Sequence, residues 1–303
     1  MPLILPENLP AIALLEKEHV FVNGAEVVQA IGICPLRIVV LNLMPLKEST
    51  ETDLVRVLSG VKTPIELSFM KLRTHVSKHT SKEHIQQFYK DSDVLMQQSF
   101  DGMIVTGAPV EKLPYEAVDY WHELIGIFDW ARLRVRSTLY LCWGAMAALY
   151  HFYNVPKYLL KKKKFGVFET DVLAPEESIF CGIPPFFMMP HSRHTTIRTE
   201  DIKKVKELKL LAESQEAGVS IVTSEAGRAF YVLGHLEYAA DTLDTEYKRD
   251  LGRLPDVGLP EHYFPNDDPV LKPKATWQVA GRLFYENWVN NYVCKNHLVH
   301  EKP

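Results

Sequence analysis

Residues 37–43, Arg-Ile-Val-Val-Leu-Asn-Leu, form a continuous β-branched apolar run without polar alternation. A strand of that kind is buried on both faces, which is the habit of parallel sheets whose crossover helices cover both sides. The next residues supply such a crossover. Ser49-Thr50-Glu51-Thr52-Asp53 offers N-cap and acidic first-turn chemistry, and Leu54, Val55, Val57 and Leu58 give an apolar helix face. Residues 64–72 alternate as a second strand, and Ser81-Lys82-Glu83-His84 opens a helix carrying Ile85 and Phe88. The pattern continues with a strand at 102–107, a helix over 115–132, and a strand at 137–141 that runs into Cys142 and a further helix through Ala145, Ala148 and Tyr150. From about residue 165 strands dominate, at 165–168, 208–212, 218–223 and 228–233, before helices near 240–251 and 277–293. This alternation predicts an α/β fold, an open and mainly parallel sheet flanked by helices. Residues 1–35 read as an irregular N-terminal arm, and 36–303 as a single α/β domain ending in a C-terminal helix.

Composition narrows the function classes. With 47% apolar and 24% charged residues the 303-residue chain is globular rather than disordered. Lys plus Arg is 34 against 38 for Asp plus Glu, a net charge of -4, so the cationic excess of a nucleic-acid binder is missing. Cys34, Cys142, Cys181 and Cys294 form no C-x-x-C pair, which argues against a disulfide framework or zinc ribbon and suits a reducing compartment. The first ten residues have no basic segment and are interrupted by prolines, unlike a signal peptide. No apolar stretch approaches the roughly eighteen residues of a membrane span, so the cytoplasm is the expected address. The run Lys161 to Lys164 is of a kind that usually marks a solvated loop or strand edge.

In an open α/β sheet ligands bind beyond the carboxyl ends of the strands, and three turns qualify. In Tyr140-Leu141-Cys142-Trp143-Gly144-Ala145 a thiol sits where a strand stops and a helix begins. That is the thiol version of a nucleophile elbow, in which the helix N-terminus favours thiolate. A buried strand-end cysteine would read the same, and Tyr140 stands where the fuller motif has glycine. The strand 228–233 ends in Gly234-His235-Leu236-Glu237-Tyr238, where residues two apart point the same way, so His235 and Glu237 can act as a base and its orienting acceptor. An isolated His-x-Glu is more often a surface pair; its coincidence with a strand-end Cys favours a triad. The third turn, Thr106-Gly107-Ala108-Pro109-Val110-Glu111, has small residues whose amides, with that of Trp143, suit an oxyanion hole, although most such turns are plain connections.

These turns, with Leu43-Met44-Pro45, Lys47, Thr50-Glu51 and Pro190-His191-Ser192-Arg193, resemble the homoserine O-acyltransferases built on a class I glutamine-amidotransferase-like fold. The resemblance runs over nearly the whole chain, through Tyr263-Phe264-Pro265-x-Asp267-Asp268-Pro269 to Asn287-Trp288. It implies a flavodoxin-like sheet and a cytoplasmic homodimer that makes O-acyl-homoserine for methionine synthesis, with no metal, no permanently bound cofactor and acetyl-CoA as co-substrate. Carried over, Cys142 is the acyl-accepting nucleophile, His235 the general base and Glu237 its orienting residue. Gly107, Ala108 and Trp143 match the oxyanion site, with Lys47 in support. Lys163, Ser192 and Arg249 match the residues that hold the amino-acid acceptor, whose carboxylate suits cationic partners. Glu111 matches the acyl selector: glutamate goes with acetyl-CoA and glycine with succinyl-CoA, and a carboxylate there would repel succinate.

The chain departs from the family pattern at Met146, Leu236, Ala239, Ala240 and Ala280, around the base and elbow. Those changes keep L-serine open as an alternative acceptor, since one methylene is discriminated by pocket shape alone. The same Cys-His-Glu machinery would serve a hydrolase or amidotransferase, and a non-catalytic sensor of amino acid or CoA is the non-enzymatic alternative. The aromatic segment with Trp277, Trp288 and Tyr292 packs either on its own core or on a second subunit.

Overall fold

The run at 37–43 becomes strand β2 (Leu36–Leu41), in which Ile38, Val39, Val40 and Leu41 are all completely buried. Successive side chains point to opposite faces, so both faces of this strand are covered. Ile38 and Val40 belong to one apolar core and Val39 and Leu41 to a second on the other side of the sheet. The computed structural model describes residues 3–20, 34–77, 79–224, 227–252 and 257–294.

β2 pairs in parallel with β3 (Ile65–Lys71) on one side and β5 (Gly102–Val105) on the other. β6 (Ser137–Leu141) and then β11 (Ala229–Val232) continue the parallel array. At the far edge both β1 (Leu3–Ile4) and β4 (Tyr89–Asp91) pair with β3. Beyond β11 the strands become antiparallel, through β10 (Gly218–Ser224), β9 (Leu208–Ser214), β7 (Tyr158–Val172) and β8 (Phe186–Thr196). The sheet is therefore parallel in its centre, as expected, with an antiparallel wing.

The helices that cover it are α1 (Pro10–Lys17), α2 (Lys47–Ser59), α3 (Lys82–Phe88), α4 (Ser92–Leu95), α5 (Trp121–Arg134), α6 (Trp143–Tyr153), α7 (Thr199–Lys203), α8 (Thr242–Asp250) and α9 (Gln278–Trp288). α1, α2 and α9 bury Leu15, Leu54, Leu58, Phe284 and Trp288 on one face. On the other, α5 and α6 bury Leu124, Phe128, Ala145 and Leu149. None of the described helices is long and apolar enough to cross a membrane.

Four local expectations change. The helix over 115–132 divides into a short 3-10 turn at Tyr115–Ala117 and α5, because Val118 is extended (φ -76°, ψ 123°). The helix over 277–293 passes after Trp288 into a wider π turn, Val289–Val293. The strand at 165–168 is the centre of a 15-residue strand that includes all four lysines, so the lysine run is a strand and not a loop. In the arm, Pro10 starts α1 at a first-turn position where its missing N–H costs nothing; Leu3, Leu9, Ala11 and Leu15 are buried, and residues 21–33 lie outside the described residues. Trp277, Trp288 and Tyr292 all pack into the chain's own core. Cys34 and Cys181 are exposed and Cys294 is half-buried, so of the four free thiols Cys142 alone is buried.

Candidate active site

Cys142 follows the last residue of β6 at φ 49°, ψ -116°, a left-handed conformation in which a non-glycine residue stores about 1–3 kcal/mol of strain. Two features hold it there. Its amide donates to Val232 O of β11 at 2.7 Å, and Gly144 lets the new helix pass so close to β5 that a Cβ would lie 2.6 Å from Thr106 O. The strain turns the thiol out of the sheet at the N-terminus of α6, as an elbow requires.

β11 runs parallel to β6 and delivers Gly234 and His235 to the same edge. A side chain at Gly234 would collide with Met189, and the His235 amide donates to Pro190 O at 2.8 Å, which fixes the turn against β8. His235 Nδ1 lies 2.7 Å from Glu237 Oε1 and the His235 ring hydrogen-bonds the Cys142 side chain; with Nδ1 engaged by the carboxylate, Nε2 faces the sulfur. Tyr238 stacks on the imidazole with centroids 4.1 Å apart, and Tyr285 OH donates to Glu237 Oε2 at 3.5 Å. Burial works to lower the His235 pKa, but Glu237 and Cys142, by charge and by hydrogen bonding, hold it well above its ordinary value. A protonated imidazole beside the thiol is the charge state this favours for His235.

Opposite the thiol, a Cβ on Gly107 would lie 3.2 Å from Cys142 Cβ and 3.6 Å from Trp143 N. Among the described residues the amides of Gly107, Ala108 and Trp143 donate to no protein acceptor, and Gly107 and Trp143 border Cys142. Thr106 Oγ1 accepts from Leu43 N at 2.8 Å and ties this loop to the turn after β2. Lys47 fastens that turn, with Nζ 2.5 Å from Asn42 O, and burial brings its pKa down to about 8 against the pull of Glu51. Its contacts are with the turn, not with the thiol or the three amides, so its support of the oxyanion loop is indirect.

β8 forms the remaining wall. Glu111 Oε2 accepts from His194 N at 2.8 Å, Thr195 N at 3.1 Å and Thr195 Oγ1 at 3.0 Å, and Met146 Sδ lies 3.5 Å from the same hydroxyl. Arg193 is completely buried and held by main-chain oxygens, at 2.8 Å from Thr195 O and on Ala217 O. Burial lowers its pKa to about 10, while the charges of Cys142 and Glu111 oppose the shift, so it remains a cation beneath the thiol. His191 is driven well below its ordinary pKa by burial and by Arg193, and stays neutral.

Lys163, Ser192 and Arg249, expected to hold the acceptor, come together around two carboxylates that the sequence reading missed. Ser192 Oγ donates to Glu246 Oε2 at 2.5 Å, and Tyr238 OH to Glu246 Oε1 at 3.0 Å. Lys163 Nζ lies 3.6 Å from Glu246 and 3.7 Å from Asp250, and Arg249 makes a two-pronged contact with Asp250 at 2.7 and 3.0 Å. The spacing Glu246-x-x-Arg249-Asp250 on a predicted helix was the available signal, since residues three and four apart share a face. The departures cluster behind the base: Leu236 is buried with its carbonyl against Gly281, Ala280 is buried beside it, and Ala240 O accepts from Tyr263 OH at 2.6 Å. The surface group Glu216, Glu261 and His262 has convergent ligand atoms within 4.8 Å but shares no member with this site.

Comparison with known proteins agrees with the geometry. The chain matches the family described as homoserine O-succinyltransferase over residues 2–298. It is 53% identical to a homoserine O-acetyltransferase of Bacteroides thetaiotaomicron, over 97% of this chain and 96% of that protein. A homoserine O-acetyltransferase of a Geobacillus strain is 46% identical over 97% of each. Among solved structures a glutamine amidotransferase of Thermotoga maritima superposes with TM-score 0.55 at 12% identity, covering 87% of this chain and all of that one. A putative GMP synthase subunit of Thermoplasma acidophilum gives 0.54 at 14%, over 86% and 95%. Both show the shared class I glutamine-amidotransferase-like fold.

Proposed function

Because the chain belongs to the homoserine O-succinyltransferase family and is a homoserine O-acyltransferase, we propose that it transfers acetyl from acetyl-CoA to the hydroxyl of L-homoserine through an acyl thioester on Cys142. The observation that carries this reading is the strained Cys142 hydrogen-bonded to the His235–Glu237 pair, with the loop at Gly107 packed against it and the amides of that loop and of Trp143 uncommitted.

In the first half-reaction the Cys142 thiolate attacks the thioester carbonyl carbon. The Gly107, Ala108 and Trp143 amides donate hydrogen bonds to the developing oxyanion. Collapse breaks the carbon–sulfur bond to CoA, and the His235 imidazolium protonates the departing thiolate. In the second, neutral His235 takes the homoserine hydroxyl proton as the oxygen attacks the acyl carbon, and collapse returns the Cys142 thiolate beside imidazolium. The acceptor carboxylate matches Lys163 and Arg249, its ammonium matches Glu246 and Asp250, and Ser192 lies between them. Glu111 fills the acyl end of the site, which suits acetyl over succinyl. The product is homoserine activated for the route to methionine, a reaction this reading places in the cytoplasm.

The test is to present homoserine, serine and water as acceptors with acetyl-CoA and succinyl-CoA. Acetyl transfer to homoserine is the expected preference; faster transfer to serine or water, or from succinyl-CoA, would reassign the substrate. Acetyl-CoA alone should leave an acetyl adduct by intact mass in the wild type and none in Cys142→Ala.

A further inference from the structure

A cavity of about 770 Å³ opens between the first half of β7 and the segment 257–261. We propose that it seats the phosphate-bearing end of the acyl-CoA, with Lys112, Lys161 and Lys162 supplying the counter-charge. The assignment rests on the acyl-CoA reading above and adds to it the place where the donor is held.

The chemistry limits where the donor arm can run. His235 must protonate the departing CoA thiolate and later deprotonate the incoming hydroxyl, so both reach the acyl carbon from the same side. The donor arm therefore passes over the acceptor group of Lys163 and Glu246. Two chains of contacts lead from there to this cavity. On one, His235 stacks on Tyr238, Tyr238 OH donates to Glu246 at 3.0 Å, and Glu246 lies 3.6 Å from Lys163, which lines the cavity with Asp250. On the other, Glu111 accepts from His194 N at 2.8 Å, and His194 and Lys112 line the opposite wall.

The lining matches a long arm with a polyanionic end. Leu159, Phe165 and Leu259 offer apolar surface, and the lysines offer strongly hydrated point charges suited to phosphate. In a regular strand only alternate residues would face one side. Here the β7–β8 register shifts between Leu159 and Lys164, and Lys161, Lys162 and Lys163 all line the cavity. Lys162 lies 3.6 Å from Glu261, whereas Lys112 and Lys161 have no carboxylate at ion-pair distance among the described residues. A second cavity, of about 690 Å³, also holds basic residues but meets the oxyanion loop only at Pro109 and Val110. Its Lys71 and His75 are already paired with Asp91 and Asp119.

The experiment compares wild type with Lys112→Ala/Lys161→Ala/Lys162→Ala, using acetyl-CoA and acetyl-pantetheine, which lacks the nucleotide. The ratio of kcat/KM for acetyl-CoA to that for acetyl-pantetheine should fall roughly tenfold or more, through the KM of acetyl-CoA and with a flatter dependence on ionic strength. An unchanged ratio overturns the proposal, as does the same fall in Lys71→Ala/Arg73→Ala instead. Equilibrium binding of CoA reads the site without acyl transfer: weaker binding in the lysine variant upholds the assignment whatever the acceptor, and equal binding overturns it. CoA binding without an acetyl adduct on Cys142 would count against the proposed reaction alone.

Discussion

Glu111 reaches from the loop after β5 to β8, where one carboxylate oxygen gathers the amides of His194 and Thr195 and the Thr195 hydroxyl. The side chain thus occupies a ready carboxylate-binding position, and the proposed reaction puts the acyl end of the donor there. Repulsion of succinate is then only half of its effect. Glu111→Gly should vacate both the space and the three donors, which the distal carboxylate of a succinyl group can take over. With charge-assisted hydrogen bonds worth roughly 1.5–3 kcal/mol each before losses, the succinyl-CoA to acetyl-CoA ratio of kcat/KM should rise by about 100-fold. Adding Thr195→Val should reverse part of the gain, and Glu111→Gln, which removes the charge but keeps the space filled, should show only the smaller part that comes from lost repulsion. An unchanged ratio in Glu111→Gly would remove Glu111 from acyl selection.

Glu237→Gln keeps the shape of the residue that faces His235 Nδ1 and removes its charge. The imidazolium then loses the carboxylate that helps hold its pKa well above the ordinary value, so it deprotonates at lower pH and stabilises less thiolate. The expected result is a loss of about 100-fold or more in kcat together with slower alkylation of Cys142 by iodoacetamide near pH 7. Equal alkylation rates would show that Glu237 does not support the ion pair.

In the proposed reaction the two halves separate at Glu246. Its carboxylate contacts Ser192 and Lys163, the residues proposed to hold the acceptor. Glu246→Gln should raise the KM for homoserine by roughly tenfold or more, while acetyl-CoA alone still forms the adduct on Cys142 at a comparable rate. Equal loss in both steps would place Glu246 in a general structural role.

The parts of this molecule that the sequence disclosed are those in which one residue pattern has one structural meaning. The run at 37–43 could be covered only on both faces, and a cysteine or a His-x-Glu at the end of an apolar strand has to emerge at the carboxyl edge. The β7–β8 ribbon escaped because four consecutive lysines erase the period of two; Lys163 and Lys164 instead lay their ammonium groups over Phe165 and Phe168, at 4.0 and 4.7 Å from the ring centroids. Glu246 and Asp250 escaped for a different reason. A charged helix face looks solvated in one dimension, and only the packing of α8 beside Ser192 and Lys163 turns it toward the site. Arg193 lay inside a recognised motif, yet its burial beneath the thiol depends on main-chain oxygens that no spacing encodes.

Behind the triad, Asp53 is buried with Oδ1 2.7 Å from Arg56, which also grips Glu18 at 2.7 and 2.8 Å. Burial pushes the Asp53 carboxyl up to about 7 against the pull of Arg56, and Glu237 and Asp241 add to the rise. The folded chain therefore binds this proton more tightly than the unfolded chain, whose carboxyl titrates near 3.8. Asp53 favours folding at low pH, and that contribution is lost as pH rises from the unfolded value through about 7. Asp53→Asn cannot lose it, although it weakens the contact with Arg56 at every pH. The variant should accordingly gain stability relative to wild type between pH 5 and pH 8, by an upper bound of about 2–3 kcal/mol. Urea unfolding at the two pH values measures the difference directly, and a gap between variant and wild type that does not change with pH would place the Asp53 pKa near its ordinary value.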